Sequence, residues 1–363
     1  MRPAVMLSAE AGPWPELVDF VVEAEALGVD VCWVAEAWGC DAVAPLGYLA
    51  ARTDRILLGS GILQVGARSA ALTAMTALTL ARLSGNRFLL GLGVSGPQVM
   101  EGLHGAPFAH PLGRMRETIE VIRRLFAGEK LDYQGEHLQL PLPGGDGKAL
   151  RLNQPANPGI PIYLAALSPK MLELTGEVAD GWLGTAFVPE AAGTYRQALT
   201  AGAARGGRTL ADLDICQGAE VAFGDDVTEM VAGRKPGLAF TLGGMGSATA
   251  NFYNDAYSRQ GFAEVAGEVR RLWTERRRDE AAALVPDEMV LATTLIGTET
   301  MVRDRLRAWR DAGVTTARLY PAGATAAERL ATLGRAVDLV REITKADACV
   351  GQRLGQGPPV APR

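Results

Sequence analysis

Three glycines spaced as Gly91-x-Gly93-x-x-Gly96 follow the apolar run Phe88-Leu89-Leu90. Where that spacing opens a helix it holds a dinucleotide pyrophosphate, with an acidic residue about 20 positions on at the end of the next strand. The residues that follow do not permit it. Pro97, Gly102, Gly105, Pro107 and Pro111 break the next stretch, the first long helical pattern begins near Leu112, and Glu117 lies on that pattern. The glycines are therefore expected at a strand end that opens onto a long loop. There Gly93, Ser95 and Gly96 leave backbone N–H groups open to a ligand, while Gly91 packs below. A second candidate is Ser168-Pro169-Lys170 at an expected helix start. Free amides at a helix N-terminus, a hydroxyl and an ammonium suit a phosphodiester. The same residues also make an ordinary N-cap with proline at the first helical position, and the two readings are compatible. Glu36, with Trp38 two residues on, closes another apolar run. Its carboxylate could hydrogen-bond a ligand ring or relay a proton, or it could cap the next helix near Asp41. The three histidines, His104, His110 and His137, match no metal spacing and are expected in loop or surface roles.

The elements that must position these residues alternate along the chain. Short apolar runs at 4–8, 30–35, 56–61, 88–93, 161–166, 181–185, 213–223 and 316–320 read as eight strands. Between them, Leu17, Phe20, Val21, Ala24 and Leu27 share one helical face, as do Leu112, Met115, Ile119, Ile122 and Leu125. A glycine recurs where helix gives way to strand, at Gly28, Gly85, Gly181 and Gly313, which suits a left-handed helix terminus. Strands that are apolar throughout, each followed by a helix, imply a parallel sheet covered on its outer face. Eight such units predict a (β/α)8 TIM barrel; a doubly wound open sheet is the alternative. The barrel is expected over 1–347, with insertions at about 94–111 after the fourth strand, 130–159 before the fifth, and 224–299 after the seventh. The second contains a hairpin pattern turning at Gly135-Glu136, and the third carries Gly243-Gly244-Met245-Gly246, read as a flexible lid or a helix–helix connection. Insertions that follow strands lie at the C-terminal face, where barrel enzymes keep their chemistry.

Of the 363 residues 48% are apolar and 21% charged, enough to bury a large core, and the net charge of −5 gives no basic footprint for nucleic acid. The run Glu275-Arg276-Arg277-Arg278-Asp279 is expected on a solvated helix face. Cys32, Cys40, Cys216 and Cys349 show neither zinc nor disulfide spacing, so reduced thiols are expected. No apolar run is long enough to span a bilayer and no signal-peptide pattern is present, so a cytoplasmic protein is expected. The Gly/Pro-rich tail, taken from 348 to 363, is expected to be disordered.

The segments W-V-A-E-A-W-G-C-D-A (33–42), L-G-S-G-I-L-Q-V-G-A-R-S (58–69), F-L-L-G-L-G-V-S-G-P-Q-V-M-E-G (88–102), P-I-Y-L-A-A-L-S-P-K-M (161–171) and A-D-G-W-L (179–183) occur in order on this plan. They are joined by G-G-M-G-S-A-T-A-N-F (243–252) and L-I-G-T-E-T-M-V-R-D-R-L (295–306). In these the chain resembles the luciferase-like monooxygenase superfamily, in its branch of oxidoreductases dependent on the deazaflavin coenzyme F420. The resemblance implies a non-proline cis peptide at Gly61-Ile62 behind the cofactor ring. It also implies a cofactor site made by Glu36, Gly61, Ile62, Gly93, Ser95, Gly96, Ala166, Leu167, Ser168 and Lys170. Glu36 and Trp38 are the candidate catalytic residues, although Ala37 leaves unfilled the place of a histidine found in some relatives. Pro97-Gln98 stands where others carry an acid, and Glu101 is the nearest carboxylate. The implied activity is hydride transfer between coenzyme F420 and a small organic substrate, in which the protein supplies orientation and electrostatics. The alternatives are an FMN-dependent monooxygenase using reduced flavin and O2, and a non-catalytic flavin carrier. Neither nucleic acid nor membrane is expected as a partner, and a homodimer is left open. Trp38, Phe108, Phe187 and Met245 are candidates for an apolar pocket or for core.

Overall fold

The computed structural model describes residues 1–7, 12–246 and 251–354, with side chains to Lys345 in the last segment. Twelve strands are present among them: β1 (Arg2–Leu7), β2 (Val31–Val34), β3 (Leu57–Ser60), β4 (Leu63–Gln64), β5 (Phe88–Gly93), β6 (Tyr133–Gln134), β7 (Gln139–Leu140), β8 (Ile162–Ala165), β9 (Gly181–Gly184), β10 (Asp214–Phe223), β11 (Leu295–Gly297) and β12 (Thr316–Pro321). Eight of them close a parallel barrel in the order β1-β2-β3-β5-β8-β9-β10-β12, with β12 pairing back to β1. The open-sheet alternative is thereby excluded, because both edges that it requires are hydrogen-bonded to each other. The eight barrel strands are the eight expected. The structure adds β11, whose Leu295-Ile296-Gly297 pairs with the end of β10 inside the third insertion, too short a run for periodicity to reveal.

The helices are α1 (Trp14–Leu27), α2 (Val43–Ala50), α3 (Ala70–Leu83), α4 (Pro97–Met100), α5 (Pro111–Phe126), α6 (Pro169–Val178), α7 (Gly193–Arg205), α8 (Val227–Ala232), α9 (Lys235–Gly243), α10 (Phe252–Tyr257), α11 (Ala263–Thr274), α12 (Arg278–Ala283), α13 (Asp287–Thr293), α14 (Glu299–Asp311) and α15 (Ala326–Leu354). Because α15 reaches Leu354, only 355–363 of the expected tail lies outside the described residues. Gly28 ends α1 at φ 85°, as the recurring glycine predicts. The hairpin β6–β7 is pinned by Glu117 of α5, whose carboxylate accepts the backbone N–H groups of Glu136, His137 and Leu138.

Alternation along each strand divides the core. One set of side chains, including Val5, Leu58, Leu90 and Leu164, packs outward under the helices. The other set, Ala4, Val31, Trp33, Leu89, Tyr163, Leu183 and Cys216, fills the barrel. Large residues face glycines there: a Cβ on Gly59 would lie 2.3 Å from the Trp33 ring and one on Gly181 2.1 Å from Tyr163. Trp33 and Tyr163 meet edge to face at 5.1 Å. A third cluster, built by α8 to α13, sits beside the C-terminal end of β10.

Candidate functional site at the barrel mouth

The inward positions at the C-terminal ends of four adjacent strands carry nothing larger than a methyl group. They are Ala35 after β2, Gly61 after β3, Gly93 of β5 and Ala165 of β8. Most of the sequence-predicted residues surround this bare quadrant. The Gly61-Ile62 bond is cis. A Cβ on Gly61 would lie 3.2 Å from Met6 Cε and 3.2 Å from Trp33 Cβ, so position 61 faces the barrel filling. Ile62 packs against the interior cluster, and its Cδ1 lies 2.9 Å from where a Gly93 Cβ would be. Gly91 has a packing role only, since its Cβ would lie 1.9 Å from the Ser60 carbonyl oxygen, and Ser60 Oγ accepts the Gly91 N–H at 2.9 Å. Ser95 takes a left-handed conformation at φ 58°, and Gly96 starts the single turn of α4 within the stretch expected as loop. A Cβ on Gly96 would meet only ordinary contact.

At the end of β8, Ser168 caps α6, accepting the Met171 N–H at 3.4 Å, with Pro169 at the first helical position. Lys170 is exposed and has no hydrogen bond or ion pair with the described residues. The helix N-terminus, the Ser168 hydroxyl and a free ammonium thus stand together. Ala166 is drawn outward instead: its carbonyl accepts the Trp182 indole N–H at 2.9 Å. Leu167 packs on the helical cluster, and its carbonyl accepts Arg259 Nη2 at 2.8 Å. Sequence reading missed Arg259, a guanidinium brought from 92 residues away to the corner at Leu167 and Ser168; only the fold could have shown it.

Glu36 is engaged. Its carboxylate lies 3.1 Å from Arg68, which also holds Asp41 at 2.8 Å, and it accepts the Ala42 N–H at the start of α2. These two carboxylates hold the partly buried Arg68 above its ordinary pKa against the opposing effect of burial. Of the two roles considered for Glu36, the structure builds the helix-start one, and Arg68 is its partner. Trp38 is 61% exposed. Glu101 turns away to accept the Phe108 N–H at 3.1 Å. His110 and His137 stack at 5.1 Å beside α5, in the surface role expected of them. Phe187 is core, against Trp182, Tyr195 and Trp309. Gly243 touches the Trp273 side chain, and Asn254 donates to the Leu242 and Ala266 carbonyls at 2.8 and 2.6 Å, so this segment is a pinned helix junction as far as Gly246. Residues 247–250 lie outside the described residues. Cys32 and Cys216 are buried and free, with burial pushing both thiols up to about 12; Cys40 is exposed and free.

The opposite side of the mouth is not bare. Inward from β10, β12 and β1 project Glu220, Tyr320 and Met6, which with Leu7, Leu17 and Phe20 line a cavity of about 430 Å³. One inward position deeper lies Arg318. Sequence reading missed this side, though the signal was present. In Thr316-Ala317-Arg318-Leu319-Tyr320 the polar residues alternate, which places them on one face of a strand otherwise apolar.

A closed parallel barrel with its open space and unpaired polar groups at the C-terminal strand ends has the architecture of a TIM-barrel enzyme. Residues 1–316 match the model of the luciferase-like monooxygenase family, and the chain belongs to that family. It is 42% identical over 328 residues to a Mycobacterium tuberculosis protein whose name describes a coenzyme F420-dependent oxidoreductase, covering 87% of this chain and 94% of that one. It is 30% identical over 302 residues to the 5,10-methylenetetrahydromethanopterin reductase of Archaeoglobus fulgidus, covering 83% and 87%. In fold it is similar to the coenzyme F420-dependent tetrahydromethanopterin reductase of Methanopyrus kandleri, with a TM-score of 0.76 at 23% identity over 92% of this chain and 96% of that one.

Proposed function

We propose that this protein is an oxidoreductase that uses coenzyme F420 to transfer hydride to or from a small organic substrate. The observation that carries the reading is the bare quadrant at Ala35, Gly61, Gly93 and Ala165, with a free ammonium and a capped helix start at its margin. A planar ring fits against inward positions that carry nothing larger than a methyl group, with the Ile62 side chain beside Gly93, and a phosphate-bearing tail fits the corner made by Ser168, Lys170 and Arg259. Gly61, Ile62 and Gly93 would stand against the ring, and Ser95 and Gly96 would present backbone beside the chain that links ring to phosphate. Bound there, the coenzyme supplies the reducing equivalent as a hydride. The protein's own share is orientation and charge: Lys170 and Arg259 neutralise the tail, and the Glu36–Arg68–Asp41 ion pairs fix the loop after β2. The similarity to named F420-dependent proteins supports the deazaflavin over FMN, and an FMN monooxygenase remains the second reading because the barrel also resembles an FMN-bound Baeyer-Villiger monooxygenase at a TM-score of 0.68. Titration of the protein with each cofactor separates them. Quenching of F420 fluorescence at far lower protein concentration than that of FMN is expected; tighter FMN binding reverses the order.

A homodimer is the proposed assembly. Tyr48 of α2 and Leu72, Met75 and Leu83 of α3 are exposed together, and α3 has no charged residue before Arg82. Such an uncharged stripe suits a second copy of itself. Sedimentation as a dimer whose dissociation is promoted by Met75→Glu is expected; a monomer at all concentrations refutes it.

A further inference from the structure

We propose that Tyr320 and Arg318 form an oxyanion subsite on the β10–β12–β1 side of the mouth, which takes the carboxylate of an apolar organic substrate. It rests on the reading that substrate meets cofactor in this mouth. Arg318 points into the barrel from the middle of β12 and is only 5% exposed. Its Nη2 donates to the Gly184 carbonyl at 2.9 Å, its guanidinium lies 5.7 Å from the Tyr320 ring centre, and among the described residues its Nε has no hydrogen-bond partner. No carboxylate among the described residues pairs with it. The one acidic side chain on the cavity wall, Glu220, is held by Arg234 at 2.5 Å. A buried guanidinium stays charged, and a buried charge without a counter-ion is costly. An anionic ligand would remove that cost.

The surroundings say what kind of anion. Tyr320, two residues on and on the same face, lines the cavity, and its hydroxyl lies beside the guanidinium. Gly218 across from it makes the pair possible, since a Cβ there would lie 2.5 Å from the Tyr320 hydroxyl and 2.8 Å from Arg318 Nε. Burial holds the Tyr253 phenol of α10 above the ordinary pKa, with Tyr320 raising and Arg318 lowering it, so it remains a donor. The cavity walls are Met6, Leu7, Leu17 and Phe20, with Arg329 at the rim. At about 430 Å³ the space suits a small molecule, and largely apolar walls with Tyr320 and, behind it, the Arg318 guanidinium select an apolar body with a carboxylate end. Tyr320 touches the ligand; Arg318 is a positioning residue that supplies charge from behind it.

The test compares benzoate with neutral benzamide by calorimetric titration, on cofactor-free protein and on protein loaded with F420. Wild type should bind benzoate at least about tenfold tighter than benzamide, and Tyr320→Phe and Arg318→Gln should each shrink that ratio to less than about threefold. F420 affinity, read by fluorescence, should be unchanged in both variants. Equal affinity for the two probes in wild type, or a benzoate preference that survives in both variants, overturns the proposal. So does a parallel loss of F420 affinity in the variants, which would give the oxyanion to the cofactor's own ring. If Arg318→Gln fails to fold, Tyr320→Phe decides alone, because it keeps the charge and removes only the hydroxyl. Failure of wild type to bind F420, with the benzoate preference intact, would sink the cofactor reading and leave the subsite standing.

Discussion

At the N-terminal end of the barrel, the Asp214 carboxylate accepts from Arg2 at 2.7 Å, from the Tyr163 hydroxyl at 2.9 Å and from Thr316 at 2.7 Å, with Thr315 as a further donor. At the C-terminal end Arg318 sits deeper in the same barrel with one carbonyl and no carboxylate. Both groups are charged and both are held by strands of the same sheet. Their difference is satisfaction: the lower end closes a complete network, and the upper end leaves donors unpaired. A completed network stabilises the fold, whereas a buried charge left without a counter-ion carries a cost that a bound oxyanion would remove.

Substitutions at the two ends should therefore separate stability from binding. The largest effect is expected for Asp214→Ala, which strands Arg2 and three hydroxyl donors. It should lower stability by about 3 kcal/mol, read as a lower urea midpoint with an unchanged m-value, and leave F420 affinity alone. An unchanged midpoint would mean that the lower network contributes nothing and the contrast is false. Next in size is Lys170→Ala at the upper end. Loss of a charge-assisted contact should weaken F420 binding by roughly 1.5–3 kcal/mol, about tenfold or more in the dissociation constant, while the urea midpoint stays put. Unaltered affinity would show that Lys170 serves solvent rather than the cofactor. The smallest effect on stability belongs to Tyr320→Phe. Its hydroxyl is part of no closed network, so the midpoint should match wild type while probe binding changes. A midpoint as low as that of Asp214→Ala would make the upper end structural too.

Legibility in the sequence followed the range of the signal. Gly91 and Gly93 could be placed at a strand end, because the apolar run and the broken stretch after it are local, but the Ile62 side chain against Gly93 could not be foreseen. Ser168-Pro169 could be read as a helix start for the same reason. Glu36 could not be assigned, since its choice between ligand and helix depends on Arg68, 32 residues away. Arg259 at Leu167 and Arg318 beside Gly184 come from 92 and 134 residues away, beyond any periodicity.

The sequence by itself determined the eight strands, their parallel order, the small residues at their ends and the family likeness, because apolar runs, glycine stops and helix caps act within a few residues. Tertiary structure alone decided that β10 bonds to β9 and β12 as well as to β11, that Glu36 is bound up by Arg68, and that the two sides of the mouth differ. Closing the barrel brings strands distant in the chain side by side, and only then does it emerge which buried charges find a partner and which do not.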